Sequence, residues 1–475
     1  MRYKLGFLAL IIAVSVAAVS AAFMAASGSA AAGKIDDRLL GQLSNGNHAN
    51  VFVKMAADAN LAAAESITDR TARKNYVYDA LTAEAASSQQ AIKRSLDGLS
   101  VQYSSFWINN SVYVYNADLE LVEALAARSD VAYVRGDYEV PLIEPVSREQ
   151  AIAGPQAVEW GVQLIKAPAV WALGNRGAGI VVANVDTGVR WTHDAIDNQY
   201  RGSNGNHDYD WWDPDKTLPV PTDNNAHGTH TMGTIVGDDG GSNQIGVAPQ
   251  ATWIAAQGCD TSSCSDFDLT SSAQWIACPT KVDGTAPDCS KAPDVVNNSW
   301  GGGRGDSWYE SYVQAWRSAG IVPVFAIGNS GPGCNTANSP GDYASVLAAG
   351  AIDINSRLAS FSSKGPSVFK PIKPEIVAPG QSVRSSTNSS DTSYASFSGT
   401  SMAAPHTTGA IALMLADTPS TSINKLIKTI KKTATRGLPD PPDPDTCGGI
   451  HYTQYPNPIY GHGRVNVLKA VKQLP

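Results

Sequence analysis

Between Trp160 and Val471, short and nearly continuous apolar runs alternate with segments of helical period. Residues 179–185, 292–297 and 321–327 are three such runs, each closing on small or polar residues. A strand that is apolar on both faces is buried on both, so runs of this kind separated by helices predict an α/β fold: a doubly wound parallel sheet with helices on both faces. In such sheets chemistry gathers beyond the carboxyl ends of the strands. A further apolar run, 402–415, is rich in alanine, leucine and methionine and predicts a helix, with Pro405 tolerated in its first turn.

The pattern ahead of Trp160 is different. Residues 50–55 read as a strand and 76–99 as one long amphipathic helix; 105–108 and 111–115 form a hairpin around Asn109-Asn110. Residues 118–128 read as a second helix N-capped by Asp118, and 131–134 as a closing strand. This βαββαβ succession predicts a small α+β sandwich of ferredoxin-like type, with no cysteine and no nucleophile–base pair of its own. Residues 141–158 carry prolines, alanines and scattered charges, as an exposed linker does. At the very start, Arg2 and Lys4 precede the apolar run 5–19 and then small residues as far as Ala30-Ala31-Ala32. That order reads as a secretory signal peptide, cut between about Ala18 and Ala32; a retained membrane anchor, with the apolar run extended to Ala26, is the alternative. The expected division is 1–32 signal, 33–145 leader domain and 146–475 main domain.

Composition narrows the classes. A chain of 475 residues with 43% hydrophobic and 16% charged residues is globular. A formal charge of −8 without a basic block argues against a nucleic-acid partner. No later segment approaches the ~18 apolar residues of a membrane span, so no membrane association is expected once the signal is removed. All six cysteines follow residue 258: Cys259, Cys264, Cys278, Cys289, Cys334 and Cys447. An even set in an exported chain implies disulfides, with 15 pairings open. Proximity favours 259–264 and 278–289, leaving 334–447. Zinc would need Cys-x-x-Cys or matched histidine spacing, and neither is present.

The residues standing at the run ends carry the chemistry. Asp186 tips the first run, and a carboxylate there is costly unless paired, which makes it a candidate orienter of a histidine; a strand-end aspartate capping a turn is the alternative. His227 heads a small-residue helix in Asn225-Ala226-His227-Gly228-Thr229-His230. Zinc ligation by His227 and His230 is excluded by their spacing and by the lack of an intervening glutamate. Asn329, after the third run, offers a neutral amide donor of the kind that stabilises an oxyanion. Ser401, in Gly399-Thr400-Ser401-Met402-Ala403-Ala404-Pro405, sits at a helix start where free N–H groups favour negative charge. Alone it reads equally well as a helix cap.

Together, the blocks Val185-Asp186-Thr187-Gly188, His227-Gly228-Thr229-His230 and Gly399–Pro405 resemble those of the subtilisin-type serine proteases (subtilases, peptidase S8). The resemblance extends from Trp160 to Val471 and is strongest to the bacillopeptidase F branch of the family. Residues 33–145 resemble the inhibitor I9-like propeptide. It implies a secreted endopeptidase acting on proteins or peptides, monomeric, made as a self-processed preproprotein whose propeptide is its intramolecular inhibitor. Asp186 would orient His227, the general base; Ser401 would attack; Asn329 with the Ser401 N–H would hold the oxyanion. Ser299, Trp300 and Gly301 would form one edge of the pocket for the side chain preceding the cut, Ala326 and Gly328 another. Asp306 is a weaker candidate for favouring Lys or Arg there. No cofactor is required for the chemistry. Structural calcium is left open and metal ligands unassigned, because the acidic stretch 208–223 (Asp210, Asp213, Asp215, Asp223) lacks EF-hand spacing and reads better as a solvated loop. The proline-rich stretch 437–460 is longer than a minimal subtilase needs. The same blocks on a catalytically silent binding protein are the alternative. An α/β-hydrolase would need a Gly-x-Ser-x-Gly elbow in the order Ser, Asp, His. A sedolisin-like acid peptidase would have glutamate in place of His227.

Overall fold

The computed structural model describes residues 33–150, 158–369 and 372–474; the expected signal peptide, at 1–32, lies outside them. In chain order the first elements are α1 (Asp37–Leu43), β1 (Ala49–Met55), α2 (Arg70–Ser88), α3 (Gln90–Gly98), β2 (Tyr103–Phe106), β3 (Ser111–Ala117), α4 (Leu119–Ala126) and β4 (Val131–Gly136). The chain packs as two units. The smaller holds the described residues up to Asn60 together with Asp79–Tyr138, and the larger holds Leu61–Tyr78 with everything from Glu139 on.

In the smaller unit the strands pair antiparallel in the order β2-β3-β1-β4, as a ferredoxin-like succession requires. Alternation along β1 and β3 places Val51, Val53, Val112 and Val114 in one core with Ile92 and Leu96. Asp118 caps α4 by accepting from Leu121 N, 2.8 Å. The predicted single helix 76–99 is two helices that meet at Gln89. Gln89 is buried, and its amide donates to the Phe106 carbonyl and to Asn110 Oδ1. A polar side chain turned inward to hold the hairpin thus marks the break, and apolar periodicity does not report it.

The larger unit continues with β5 (Glu139–Pro141), β6 (Ser147–Gln150), α5 (Trp160–Leu164), α6 (Ala167–Trp171), β7 (Val181–Asp186), β8 (Trp211–Trp212), α7 (His227–Val236), β9 (Thr252–Gln257), β10 (Ser263–Ser265) and α8 (Asp266–Ala277). There follow β11 (Val295–Asn298), α9 (Glu310–Ala319), β12 (Val322–Ala326), β13 (Leu347–Ile352), β14 (Ile376–Pro379), β15 (Val383–Ser386), β16 (Tyr394–Ser398), α10 (Thr400–Asp417), α11 (Ile423–Thr433), β17 (Thr446–Cys447), β18 (Ile450–His451) and α12 (Val467–Gln473). Seven strands form one sheet, ordered β14-β13-β12-β11-β7-β9-β8, with every pairing parallel. Its central strands are buried along almost their whole length, as continuous apolar runs demand. The pairs α7–α10 and α8–α9 cover it. The cysteines pair as 259–264, 278–289 and 334–447.

Two expectations are corrected. Residues 141–158 are no exposed linker as far as they are described: Leu142 and Ile143 are buried, β5 pairs with β10, and β6 adds to β16. The stretch 208–223 is a solvated loop only in part: Asp215 and most of 216–220 are exposed, but Asp210, Asp213 and Asp223 are buried. Asp210 pairs with Arg201, and Asp213 accepts from the N–H groups of Thr217 and Leu218. Carboxylates with such partners can leave solvent, and the partners are set by the fold. Among the described residues no cluster of three or more His, Cys, Asp or Glu side chains is placed to hold a metal ion. Among them, too, no helix is long and apolar enough to cross a membrane.

Candidate active site

Strand β7 delivers Asp186 at its carboxyl end, and His227 is the first residue of α7, entered through Ala226 at φ +82°. His227 Nδ1 lies 2.7 Å from Asp186 Oδ1, with both side chains buried. A carboxylate only accepts, so Nδ1 carries the proton and Nε2 is left as the acceptor. Nε2 has no hydrogen-bond partner among the described residues. This approach depends on Gly228, where a Cβ would stand 2.0 Å from the Gly188 carbonyl oxygen and 3.2 Å from Asp186 Oδ1.

Asp223, which sequence reasoning placed in a solvated loop, brackets the same corner. Its Oδ1 accepts from the N–H groups of Asn225 and Ala226, each at 2.9 Å, and from Thr187 Oγ1 at 2.9 Å. Its Oδ2 accepts from Thr229 N at 2.9 Å and Thr229 Oγ1 at 2.5 Å. One buried carboxylate therefore satisfies the free N–H groups at the start of α7 and ties that start to the end of β7.

Helix α10 begins at Thr400, so Ser401 lies in its first turn. Pro405, expected in the first turn, stands in the second, where it has no N–H to return to the carbonyl four residues back. That carbonyl belongs to Ser401, and Ser299 Oγ donates to it at 3.0 Å. Ser299 in turn receives Asn297 Nδ2 at 3.0 Å, and the same amide reaches Asn184 Oδ1 at 2.9 Å. Asn184 Nδ2 donates to Thr231 Oγ1, 2.8 Å, on α7. A buried polar chain thus crosses from β7 to β11 and links the histidine helix to the serine helix. Asn329 is fixed from the other side: its Oδ1 accepts from Thr400 N and Thr400 Oγ1, each at 2.9 Å, which turns Nδ2 toward Ser401's cleft. None of Thr400, Asn184, Asn297 or Asp223 is singled out for chemistry by the sequence. The available signal for the two asparagines is a polar residue inside an otherwise apolar run.

The cleft is occupied by the chain itself. Ser401 Oγ donates to the Ile143 carbonyl at 2.7 Å and lies 3.2 Å from the Ser299 carbonyl, and Asn329 Nδ2 donates to the Glu144 carbonyl at 3.0 Å. On one side of this point β5 pairs antiparallel with β10, and Leu142 makes an antiparallel bridge to Trp300. On the other, β6 pairs with β16, and Arg148 donates to the Asn225 carbonyl and its side-chain oxygen. Trp300 bridges the strand through its backbone, and its ring is buried edge-on against Tyr309 and Phe325. Gly301 and Gly328 have φ of +152° and +112°, and a Cβ on Gly328 would lie 1.9 Å from Asn338 Oδ1. Ala326 is buried in the same core as Ile143. Asp306 is exposed and accepts from Trp308 N, 3.1 Å.

Two further histidines flank the site without joining it. Burial, and secondarily the neighbouring His227, pushes His230 down to about 3, and its Nε2 is 3.0 Å from the Val383 carbonyl. Burial lowers His406 to about 4. Both are therefore neutral core residues at ordinary pH.

The profile of the subtilase family (Peptidase_S8) matches residues 177–463. Bacillopeptidase F of Bacillus subtilis (strain 168) is 38% identical over 448 residues, covering 89% of this chain and 30% of that protein. The chain thus spans less than a third of that relative. Subtilisin DY of Bacillus licheniformis is 35% identical over 325 residues, 67% of this chain and 100% of that protein. Subtilisin E of Bacillus subtilis (strain 168) is 30% identical over 357 residues, 75% and 79% respectively. With the parallel sheet and the corner built by β7, α7 and α10, these matches establish that the chain belongs to the subtilase family of serine proteases, peptidase S8.

Proposed function

We propose that the chain is a secreted serine endopeptidase that cuts protein substrates through Asp186, His227 and Ser401 and first cuts itself free of its own leader. The observation that carries this reading is the presence of two successive leader carbonyls, Ile143 and Glu144, on the Ser401 hydroxyl and the Asn329 amide. His227 Nε2, freed as an acceptor by the Nδ1–Asp186 bond, takes the Ser401 proton; Ser401 Oγ adds to the scissile carbonyl, and the imidazolium then protonates the leaving amine. Water repeats the sequence on the acyl-enzyme. Asn329 Nδ2, aimed by Thr400, and the Ser401 N–H take the oxyanion.

In the uncut chain the Ser401 proton is directed to Ile143 O, and the donors fall on adjacent carbonyls rather than on one. That arrangement describes a latent precursor in which residues 33–145 act as inhibitor. The division into 1–32 signal, 33–145 propeptide and 146–475 peptidase, the monomeric state, and Ser299, Trp300, Gly301, Ala326 and Gly328 as substrate-binding residues all belong to the same reading. A catalytically silent binder is the second reading. Two measurements separate them: a serine-directed phosphonate labels Ser401 in the matured chain, and Ser401→Ala accumulates uncut precursor. Normal maturation of Ser401→Ala, or no labelling of the wild type, sinks the proposal.

A further inference from the structure

At the end of the sheet opposite Ser401, the amino-terminal edges of β7, β11 and β12 meet at Asp294. Its carboxylate is buried and accepts from Val181 N at 3.0 Å; its backbone bonds Val181 O and Val322 N. Beside it lie the Ala292 carbonyl and the last carbonyls of α9, Ser318 and Arg317, the latter also accepting from the C-cap Gly320 N at 3.0 Å. Three basic residues of the first turns of α2 fill this place. Arg70 pairs with Asp294. Lys74 Nζ donates to the Ala292 carbonyl at 2.7 Å and lies 3.5 Å from Asp294. The Arg73 guanidinium donates to the carbonyls of Ser318, 2.6 Å, and Arg317, 2.9 Å, and so caps α9. Positions i, i+3 and i+4 share one helix face, so a single face of α2 presents all three basic side chains. Lys74 is only 6% exposed.

We propose that this acidic, carbonyl-lined socket is a dedicated docking surface for a basic helix, and that its occupant is the leader segment 61–78. Through it the leader stays seated on the peptidase after the chain is cut. This rests on the self-cleavage reading above. Removal of the segment leaves the Asp294 carboxylate with Val181 N as its partner among the described residues and takes the Arg73 donors from the end of α9, where Gly320 N still bonds the Arg317 carbonyl. The leader therefore leaves slowly, and the socket, far from the cleft, sets the delay between cutting and activity.

The full chain tests this in two arms. In the Ser401→Ala precursor, Arg73→Gln with Lys74→Gln should raise amide exchange over residues 70–78 by at least about tenfold while leaving residues 111–117 and 131–136 protected. Unchanged exchange at 70–78 overturns the socket, whatever the chain does to itself. General deprotection would report misfolding, and Lys74→Met, which keeps the stem but not the charge, is then read in its place under the same criteria. With Ser401 intact, the interval between the appearance of cut chain and of peptidase activity should shorten at least about tenfold in the Gln variant. Equal intervals with normal cutting overturn the proposal; absence of cut chain in the wild type overturns the self-cleavage reading instead and leaves the exchange arm to decide the socket.

Discussion

Ser401 is placed less by its own helix than by what replaces a missing bond. Pro405 cannot return an N–H to the Ser401 carbonyl, and Ser299 Oγ takes over. Ser299→Ala leaves that carbonyl buried and unpaired, at a cost of about 1–3 kcal/mol; urea unfolding of the Ser401→Ala background measures it, and no change would mean another donor substitutes. Asn329→Ala should lower kcat about 10²–10³-fold with little change in KM, a magnitude known from subtilisin itself and carried over to this chain. The buried histidines set an acid limit on stability. His230 and His406 are held near 3 and 4 against an ordinary 6.5, so the unfolded chain binds their protons first and stability falls as pH drops from about 6.5 towards 4. Glu159 opposes them: burial raises it to about 7, so the folded chain gains a proton between 7 and 4.5. His406→Gln removes one of the histidine contributions and should make stability fall less steeply as pH drops from about 6.5 towards 4, read as Tm against pH in the uncut background. Asp186, His227, Asn329 and Ser401 can be nominated from the sequence because they stand in motifs at run ends. Asp223, Thr400, Asn184 and Asn297 cannot, because their partners lie up to a hundred or more residues away and only folding brings them together.

Elements meet here at distances that only particular residues allow. Helix α7 reaches Asp186 because Gly228 has no Cβ to strike the Gly188 carbonyl. Gly228→Ala must push the helix start outward, costing about 1–3 kcal/mol in overpacking. Its larger effect should be on kcat through the His227–Asp186 contact; if stability falls and turnover per folded molecule does not, the close approach is structural alone. The central strands and α10 were readable from apolar continuity, and the smaller unit's strands from alternation. What escaped was of one kind: the break at Gln89, the burial of Asp210 and Asp213, and the pairing of 139–150. Each is a polar or proline-containing stretch whose place is decided by partners from elsewhere in the chain.

Across the molecule, the proline-rich stretch 437–460 is tied to the body by a disulfide and a buried lysine as well as by the bonds of Gly365 N to the Pro458 carbonyl and Leu358 N to Tyr460 Oη. Cys447 is bonded to Cys334, 113 residues earlier, and Lys364 Nζ donates to the carbonyls of Pro442 and Pro444 at 2.6 and 2.7 Å. A bridge closing a loop of that length restricts the unfolded chain by about 4–5 kcal/mol. Replacing both cysteines by serine should therefore lower Tm markedly while leaving the Asp186–His227 corner and kcat intact, as thermal melts beside steady-state rates would show; an unchanged Tm would place the restraint in Lys364.

The strands that flank Ser401 hold to different partners, β5 to β10 and β6 to β16. If the chain is cut between them, as proposed above, two ends remain independently zipped, and the new amino terminus is further pinned by Arg148 on Asn225. Neither departure unlocks the other half of the groove, so a protein substrate gains entry only when both have peeled away. Onset of proteolysis should accordingly be sigmoidal in time, even in a solution where every molecule has already been severed.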